Sequence, residues 1–277
     1  MIIDAHFHCW QLARGDYGWL TPALGSIYRD VSIDDWRAQA LPCGVGAGVL
    51  VQAAPTEAET AFLLDQAEAC EAVLGVVGWV DLLARDAVHR IARLAAQPKL
   101  KALRPMLHDL PDPRWVLQPA LEPALRAMVE HGLAFDALVR PGHLGALHAL
   151  CRRHPELRVV IDHAAKPDIA SSSAKAWQPW ADDMARLAGE TQAVCKLSGL
   201  LTEAGAAAAP EAARPWAAHV LASFGASRVL WGSDWPVLER AAPYAAWWAE
   251  TAALLAAFDS RARDEILGGS AQRVYRL

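Results

Sequence analysis

The chain begins Ile2-Ile3-Asp4-Ala5-His6-Phe7-His8-Cys9-Trp10, a short apolar run leading into two histidines two residues apart. Along a β-strand, residues i and i+2 point to the same face. The stretch therefore reads as a first strand with two imidazoles, His6 and His8, aimed into one small volume at its end. Such a pair suits a site that holds a metal or a water near an ester or amide carbonyl.

Seven further runs of the same kind follow, at Ala47–Gln52, Leu74–Val80, Leu100–Met106, Leu133–Val139, Arg158–His163, Ala193–Ser198 and Arg228–Ser233. Each is nearly continuous in apolar residues, as expected for parallel strands buried on both faces. Amphipathic stretches separate them. Glu57–Ala72 carries Ala61, Leu64, Ala67 and Ala69 as its inward face, and Arg85–Ala96, Glu122–His131, Leu144–Arg153, Lys175–Leu187 and Glu211–Phe224 look similar. The C-terminal part reads as helix over Tyr244–Phe258 and Ser260–Gly268, with a last turn ending at Leu277. Strands alternating with helices imply right-handed βαβ units. Eight of them favour an α/β fold of the (β/α)8 (TIM) barrel type over an open sheet, and 277 residues fit one such domain, 1–277. Two loops, Gln11–Ser32 and His108–Leu117, follow the C-terminal ends of strands one and four. That is the face on which barrel enzymes build their sites.

Composition narrows the function. Hydrophobic residues make up 54% of the chain, enough for a sizeable core, and the formal net charge is only −5. No long basic run is present, so nucleic acid is not an expected partner. Apolar runs are broken well short of a membrane span, and no secretory signal is expected at the N-terminus. The five cysteines are scattered, odd in number and without a Cys-x-x-Cys, which suits reduced thiols in the cytoplasm. Of twelve tryptophans, Trp10 and Trp235 adjoin candidate site residues.

Polar residues gather at the ends of the apolar strands. His6 and His8 end strand one, Gln52 strand two, Arg104 strand four, and Asp162-His163 strand six. Lys196 and Ser198 lie on strand seven, and Asp234 follows strand eight. Each alone has an ordinary structural use: a histidine can hydrogen-bond locally, and an aspartate before a turn commonly caps it. Lys166 and Lys196, taken singly, could be solvated, and Glu203 and Glu211 read as surface charges. Three histidines and an aspartate at the ends of strands one, six and eight are harder to explain separately, because burying ionisable groups without partners is costly.

These stretches, with Tyr17-Gly18-Trp19, Gly78-Trp79-Val80-Asp81-Leu82, Val160-Ile161-Asp162-His163-Ala164-Ala165-Lys166-Pro167, Lys196-Leu197-Ser198-Gly199-Leu200 and Gly232-Ser233-Asp234-Trp235-Pro236, run in order through nearly the whole chain. Together they resemble the amidohydrolase superfamily, specifically its lactonase branch, which includes sugar-lactone (fuconolactone-type) and pyrone-dicarboxylate lactonases. The resemblance implies a (β/α)8 barrel, a hydrolytic water, and an aspartate after strand eight as its base. His6 and His8 match the paired histidines, His163 the later histidine, and Asp234 the aspartate. Metal-dependent members of the wider superfamily add a histidine at the end of strand five, or a bridging Lys or Glu on strand four. Here those places hold Asp136 and Arg104, so a binuclear centre is not expected. A single divalent ion such as zinc, held by His6, His8 and Asp234, is compatible with the residues. No cofactor is expected to be essential.

The expected activity is opening of the ester ring of a small lactone, foremost a sugar-acid lactone. Asp234 would take a proton from water while His6, His8 and His163 polarise the carbonyl. Arg104, His108, Lys166, Trp10 and Gln52 would bind the substrate. The alternative is metal-dependent hydrolysis or decarboxylation of a small cyclic carboxylate, which the missing strand-five histidine weakens. A barrel that only binds a sugar-like ligand is disfavoured by the presence of Asp234 and all three histidines.

Overall fold

The computed structural model describes residues 1–171 and 173–277. Its strands are β1 (Ile3–Phe7), β2 (Ala47–Val51), β3 (Val73–Gly78), β4 (Leu100–Leu103), β5 (Ala134–Ala137), β6 (Val159–Ile161), β7 (Val194–Leu197) and β8 (Val229–Trp231). All pair in parallel in the order β1-β2-β3-β4-β5-β6-β7-β8, with helices between them. This is the expected (β/α)8 barrel. The polar strand ends noted in the sequence fall just beyond several of these strands, at one mouth.

Small apolar side chains fill the interior. Ile3, Ala5, Val49, Val77, Ala102, Ala134, Val160 and Leu230 form a core distinct from the shell between strands and helices. The last helix, Ser270–Tyr275, adds Ala271, Val274 and Tyr275 to that interior core. On β1 the face pattern switches part-way. Ile3 and Ala5 face inward, yet Phe7 lies in the outer shell, stacked on Trp36 with ring centroids 4.0 Å apart. A register irregularity between Asp4 and Phe7 accounts for the switch, since an irregular residue re-aims the side chains that follow it. His6 and His8 thereby come to the inside.

Barrel closure depends on residues beyond β8. Asp234 N donates to His6 O at 2.8 Å, and His8 N donates to Trp235 O at 2.8 Å. Gly232 permits this approach, because a Cβ there would lie 2.9 Å from His6 Cβ and 3.1 Å from His6 N. Asp4 locks the seam from the outer side. Fully buried, it accepts from Ser233 N (2.8 Å), Ser233 Oγ (2.6 Å), Trp36 Nε1 (3.0 Å), Tyr244 OH (3.1 Å) and His6 N (3.2 Å).

Two expectations need correction. The inward face of the helix Glu57–Glu68 is Glu59, Thr60, Leu63 and Ala67, not the stripe through Ala61, Leu64 and Ala69. Burial of Glu59 is supported by backbone bonds, as its carboxylate accepts from Ala53 N and Ala54 N beyond β2. A helix at Ile33–Ala40 was also not anticipated; Ser32 starts it with a capping box to Asp35, and Trp36 is its buried anchor. All five cysteines are free, and no helix among the described residues is long and apolar enough to cross a membrane.

Removing the Asp4 carboxylate orphans several buried donors, each worth about 1–3 kcal/mol. Asp4→Ala is therefore expected to lower unfolding stability in urea by roughly 3 kcal/mol or more. A loss under about 1 kcal/mol would show that the seam closes without it.

Candidate active site

Two backbone devices bring the reactive side chains together. Asp234 sits at a left-handed φ of 59°, directly after the Gly232-Ser233 approach. His163, Ala164, Ala165 and Lys166 form a left-handed turn, with φ of 51°, 50°, 62° and 48°. Such conformations are unfavourable for residues with a Cβ and persist where the surroundings hold them. Here Trp180 Nε1 donates to Ala164 O at 2.8 Å, and Lys166 N donates back to His163 O at 2.8 Å. Gly199 makes room for the turn, since a Cβ there would lie 2.9 Å from His163 Cβ and Cγ.

The result is a compact buried cluster. His6 and His8 ring centroids are 4.9 Å apart, and His6 and His163 are 4.3 Å apart. Asp234 Oδ1 lies 3.4 Å from His8 Nε2, 3.7 Å from His6 Nε2 and 3.7 Å from His163 Nε2. A cavity of about 390 Å³ opens above it, lined among others by His8, His163, Asp234, Arg104, His108 and Lys166. His6 lies beneath that lining.

Beneath the cluster is a four-membered charge network. Lys196 Nζ lies 2.6 Å from Asp136 Oδ2, 3.0 Å from Asp162 Oδ1 and 3.2 Å from His6 Nδ1. Arg104 Nη1 lies 3.3 Å from Asp162 Oδ2 and 3.4 Å from His6 Nε2. Tyr275 OH donates to Asp136 Oδ2 at 2.6 Å. Two cations thus balance two carboxylates inside the barrel. The reading of Lys196 as solvated is corrected: it is wholly buried. Arg104 and Asp136, the residues expected at the ends of strands four and five, are both held in this network.

The contacts restrict the histidine tautomers. His8 Nδ1 is 2.7 Å from Val51 O, so it carries the proton there and a neutral ring offers Nε2 as an acceptor. Both ring nitrogens of His6 face a cationic donor, Nδ1 that of Lys196 at 3.2 Å and Nε2 that of Arg104 at 3.4 Å, and Nε2 also lies 3.3 Å from His8 Nε2. A chain of contacts runs from Lys196 through His6 and His8 to Val51 O. His163 Nδ1 meets Ser198 Oγ at 2.9 Å, and the hydroxyl can serve as either partner. Burial holds His6 and His163 well below the usual imidazole range, with Lys196 and His8 adding to the effect at His6. For Asp234, burial pushes upward, but the His163 imidazole and the His8 hydrogen bond prevail and hold it at about 2.

His6, His163 and Asp234 present ligand atoms within 4.8 Å of one another, a grouping that fits one divalent ion. It differs from the expected set of His6, His8 and Asp234 in exchanging His8 for His163. His8 Nε2 nonetheless lies within 3.4 Å of Asp234 Oδ1. Ligation through His6 Nε2 requires the tautomer with its proton on Nδ1. There Asp162 Oδ1, which also lies 3.0 Å from Lys196 Nζ, is 3.6 Å away.

The other expected binding residues divide. Arg104, His108 and Lys166 line the cavity. Trp10 does not: it is fully buried, donates from Nε1 to Arg29 O at 2.8 Å, and backs the His8 ring at 6.1 Å. Gln52 is also sealed from the cavity, bonded to Arg104 through both ends of its amide. Glu203, read as surface, instead lines the cavity and holds Lys166 Nζ at 2.7 Å. Trp19, Arg140 and Arg240 complete the mouth; the arginines carry no signal in sequence, lying on connections past β5 and β8.

A barrel with this mouth defines a class, and the chain belongs to the amidohydrolase family, whose model matches residues 3–277. It is 47% identical to an L-fucono-1,5-lactonase of Burkholderia ambifaria, over 99% of this chain and 95% of that protein. It is 33% identical to an L-fucono-1,5-lactonase of Burkholderia multivorans, over 99% and 96%. A zinc-bound crystal structure of an amidohydrolase from Burkholderia multivorans superposes with a TM-score of 0.93 at 31% identity, covering 100% of this chain and 99% of that one.

Removing one member of a buried ion network is expected to cost roughly 3–5 kcal/mol, because its partners stay charged and unpaired. Lys196→Met should lose about that much in urea unfolding, and adding Asp136→Asn should restore a substantial part. No recovery in the double variant would contradict the pairing. A second expectation concerns pH. Burial, with Lys166 and Arg104 nearby, pushes His108 down to about 3, against the opposing pull of the Asp109 carboxylate 3.0 Å from its Nε2. Between that value and its unfolded value of about 6.5 the unfolded chain binds the extra proton, so this group favours folding less as pH falls. Lowering pH from 7 to 5 should therefore shift the stability difference between wild type and His108→Asn against wild type, by roughly 2 kcal/mol. A difference independent of pH would contradict it.

Proposed function

We propose that this protein is a hydrolase that opens the ester ring of a sugar-acid lactone, with L-fucono-1,5-lactone the first substrate to test. The observation that carries the reading is Asp234. It is an ionised carboxylate held among three imidazoles at the floor of a cavity, in a chain 47% identical to an L-fucono-1,5-lactonase.

Lactone hydrolysis needs a water made nucleophilic, a partner for the oxyanion, and a proton for the leaving alkoxide. Asp234 accepts the water proton as oxygen attacks the carbonyl carbon. A carboxylate near 2 is a weak base, so attack depends on a polarised carbonyl. His163, with Nδ1 accepting from Ser198, presents Nε2–H as a donor beside Asp234. One preset donor of this kind is worth about 3–4 kcal/mol. His8 faces the same volume, and His6 holds its orientation from beneath. Collapse of the tetrahedral intermediate breaks the ring C–O bond, and Asp234 returns its proton to the departing oxygen. Arg104, His108 and Lys166 bind substrate oxygens, with Glu203 fixing the ammonium of Lys166. A divalent ion held by His6, His163 and Asp234 would supply further polarisation of the carbonyl when bound.

Asp234→Asn preserves shape but cannot accept the proton. It should lower kcat for L-fucono-1,5-lactone by about 10²–10⁴ with an unchanged circular dichroism spectrum, followed with a pH indicator across a panel of γ- and δ-lactones. Turnover near wild type in that variant would remove Asp234 from the base role. A flat response of the wild type across the panel would refute lactone hydrolysis.

A further inference from the structure

Beside the catalytic cavity lies a larger one, of about 650 Å³. Both have Trp19, Met106 and Asp109 in their walls, so one borders directly on the other. Trp19 is fixed between them, its Nε1 donating to Ala53 O at 2.7 Å. Trp79 and Trp115 supply the other aromatic walls, each partly exposed. Among the described residues, neither of their indole N–H groups has a protein acceptor. Asp81, also on the wall, uses one carboxylate oxygen to accept from Leu83 N at 3.0 Å and keeps the other free. None of Trp79, Trp115 or Asp81 belongs to the catalytic cluster.

This lining discriminates among ligands. An aliphatic tail would cover two indole donors and a carboxylate without pairing them, at a cost for each. An anionic substituent would face Asp81 and Asp109. A neutral hydroxylated ring meets every requirement: its C–H face lies on an indole, and its hydroxyls donate to Asp81 and accept from the free indole N–H groups. We propose that the second cavity is a subsite for a second sugar ring, so that the enzyme takes lactones bearing a glycosyl substituent. The inference rests on lactone hydrolysis in the first cavity. No bond of the second ring is broken; it contributes binding alone.

The test compares kcat/KM for an aldono-1,5-lactone with that for the same lactone carrying a glucosyl or galactosyl unit, at several attachment points, and with an alkyl-substituted lactone. At least one glycosylated lactone should match or exceed the parent. Trp115→Ala, and separately Trp79→Ala, should lower that value by about tenfold or more while the parent stays within about twofold. Gly18→Trp provides a variant of opposite character. Gly18 is on the wall of the second cavity, has no left-handed φ, and meets nothing within 4 Å of a Cβ. Filling the cavity from there should abolish the glycosyl preference and spare the parent lactone. The proposal is overturned if every glycosylated lactone is hydrolysed about a hundredfold less well than the parent, or if the variants affect both alike. It is also overturned if the alkyl lactone shows the tryptophan-dependent preference instead. If no lactone at all is hydrolysed, the reading of the first cavity falls, and this one with it.

Discussion

The seam between β1 and the segment after β8 is the constraint on which the rest depends. Barrel closure and placement of Asp234 are one event there: the same backbone bond, Asp234 N to His6 O, joins the ends of the sheet and sets that carboxylate beside the histidines. Asp4 holds that seam with five accepted hydrogen bonds, reaching the helix of Trp36 and that of Tyr244. A glycine at 232 is needed because two strands approach through the space a Cβ would fill. The adjoining Ser233 and Asp234 then divide the work, the first facing Asp4 and the second the cavity.

Electrostatics inside the barrel follow from a second pairing. Lys196 and Arg104 neutralise Asp136 and Asp162 in a space that holds no polar residue cheaply. Because Lys196 reaches His6 Nδ1 and Arg104 reaches Nε2, the network holds that ring from both sides and so orients it beneath His8 and His163. The polar residues of β5 and of the end of β4, Asp136 and Arg104, serve this balance. A divalent ion remains compatible with the cluster through the Nδ1–H tautomer of His6, whose Nδ1 lies 3.6 Å from Asp162 Oδ1.

Much of this was legible in the chain. Eight apolar runs alternating with amphipathic stretches specify a parallel barrel, and all eight strands fall where the runs predict. His6, His8, His163 and Asp234 were readable because each follows an apolar run at the same end. What was not legible depends on partners distant in sequence. Lys196 looked like a solvated lysine because nothing nearby reveals Asp136 or Asp162 across the barrel. Trp10 looked like a pocket wall because adjacency to His8 does not say which side of the ring it covers. Glu203 looked like surface because its partner, Lys166, reaches it only through a left-handed turn that no run of apolar residues announces. The inward face of the second helix was misjudged because a buried glutamate, Glu59, belongs to it.

The most direct measurement is a crystal structure of the protein with a 1,5-lactam analogue of the sugar lactone, which resists opening. The carbonyl oxygen should lie within about 3.2 Å of His163 Nε2, with Asp234 Oδ1 or a water bound to it facing the carbonyl carbon. A lactam seated with its carbonyl turned away from the Asp234–His163 pair, toward the mouth at Arg140 and Arg240, would contradict the assignment of the catalytic cluster.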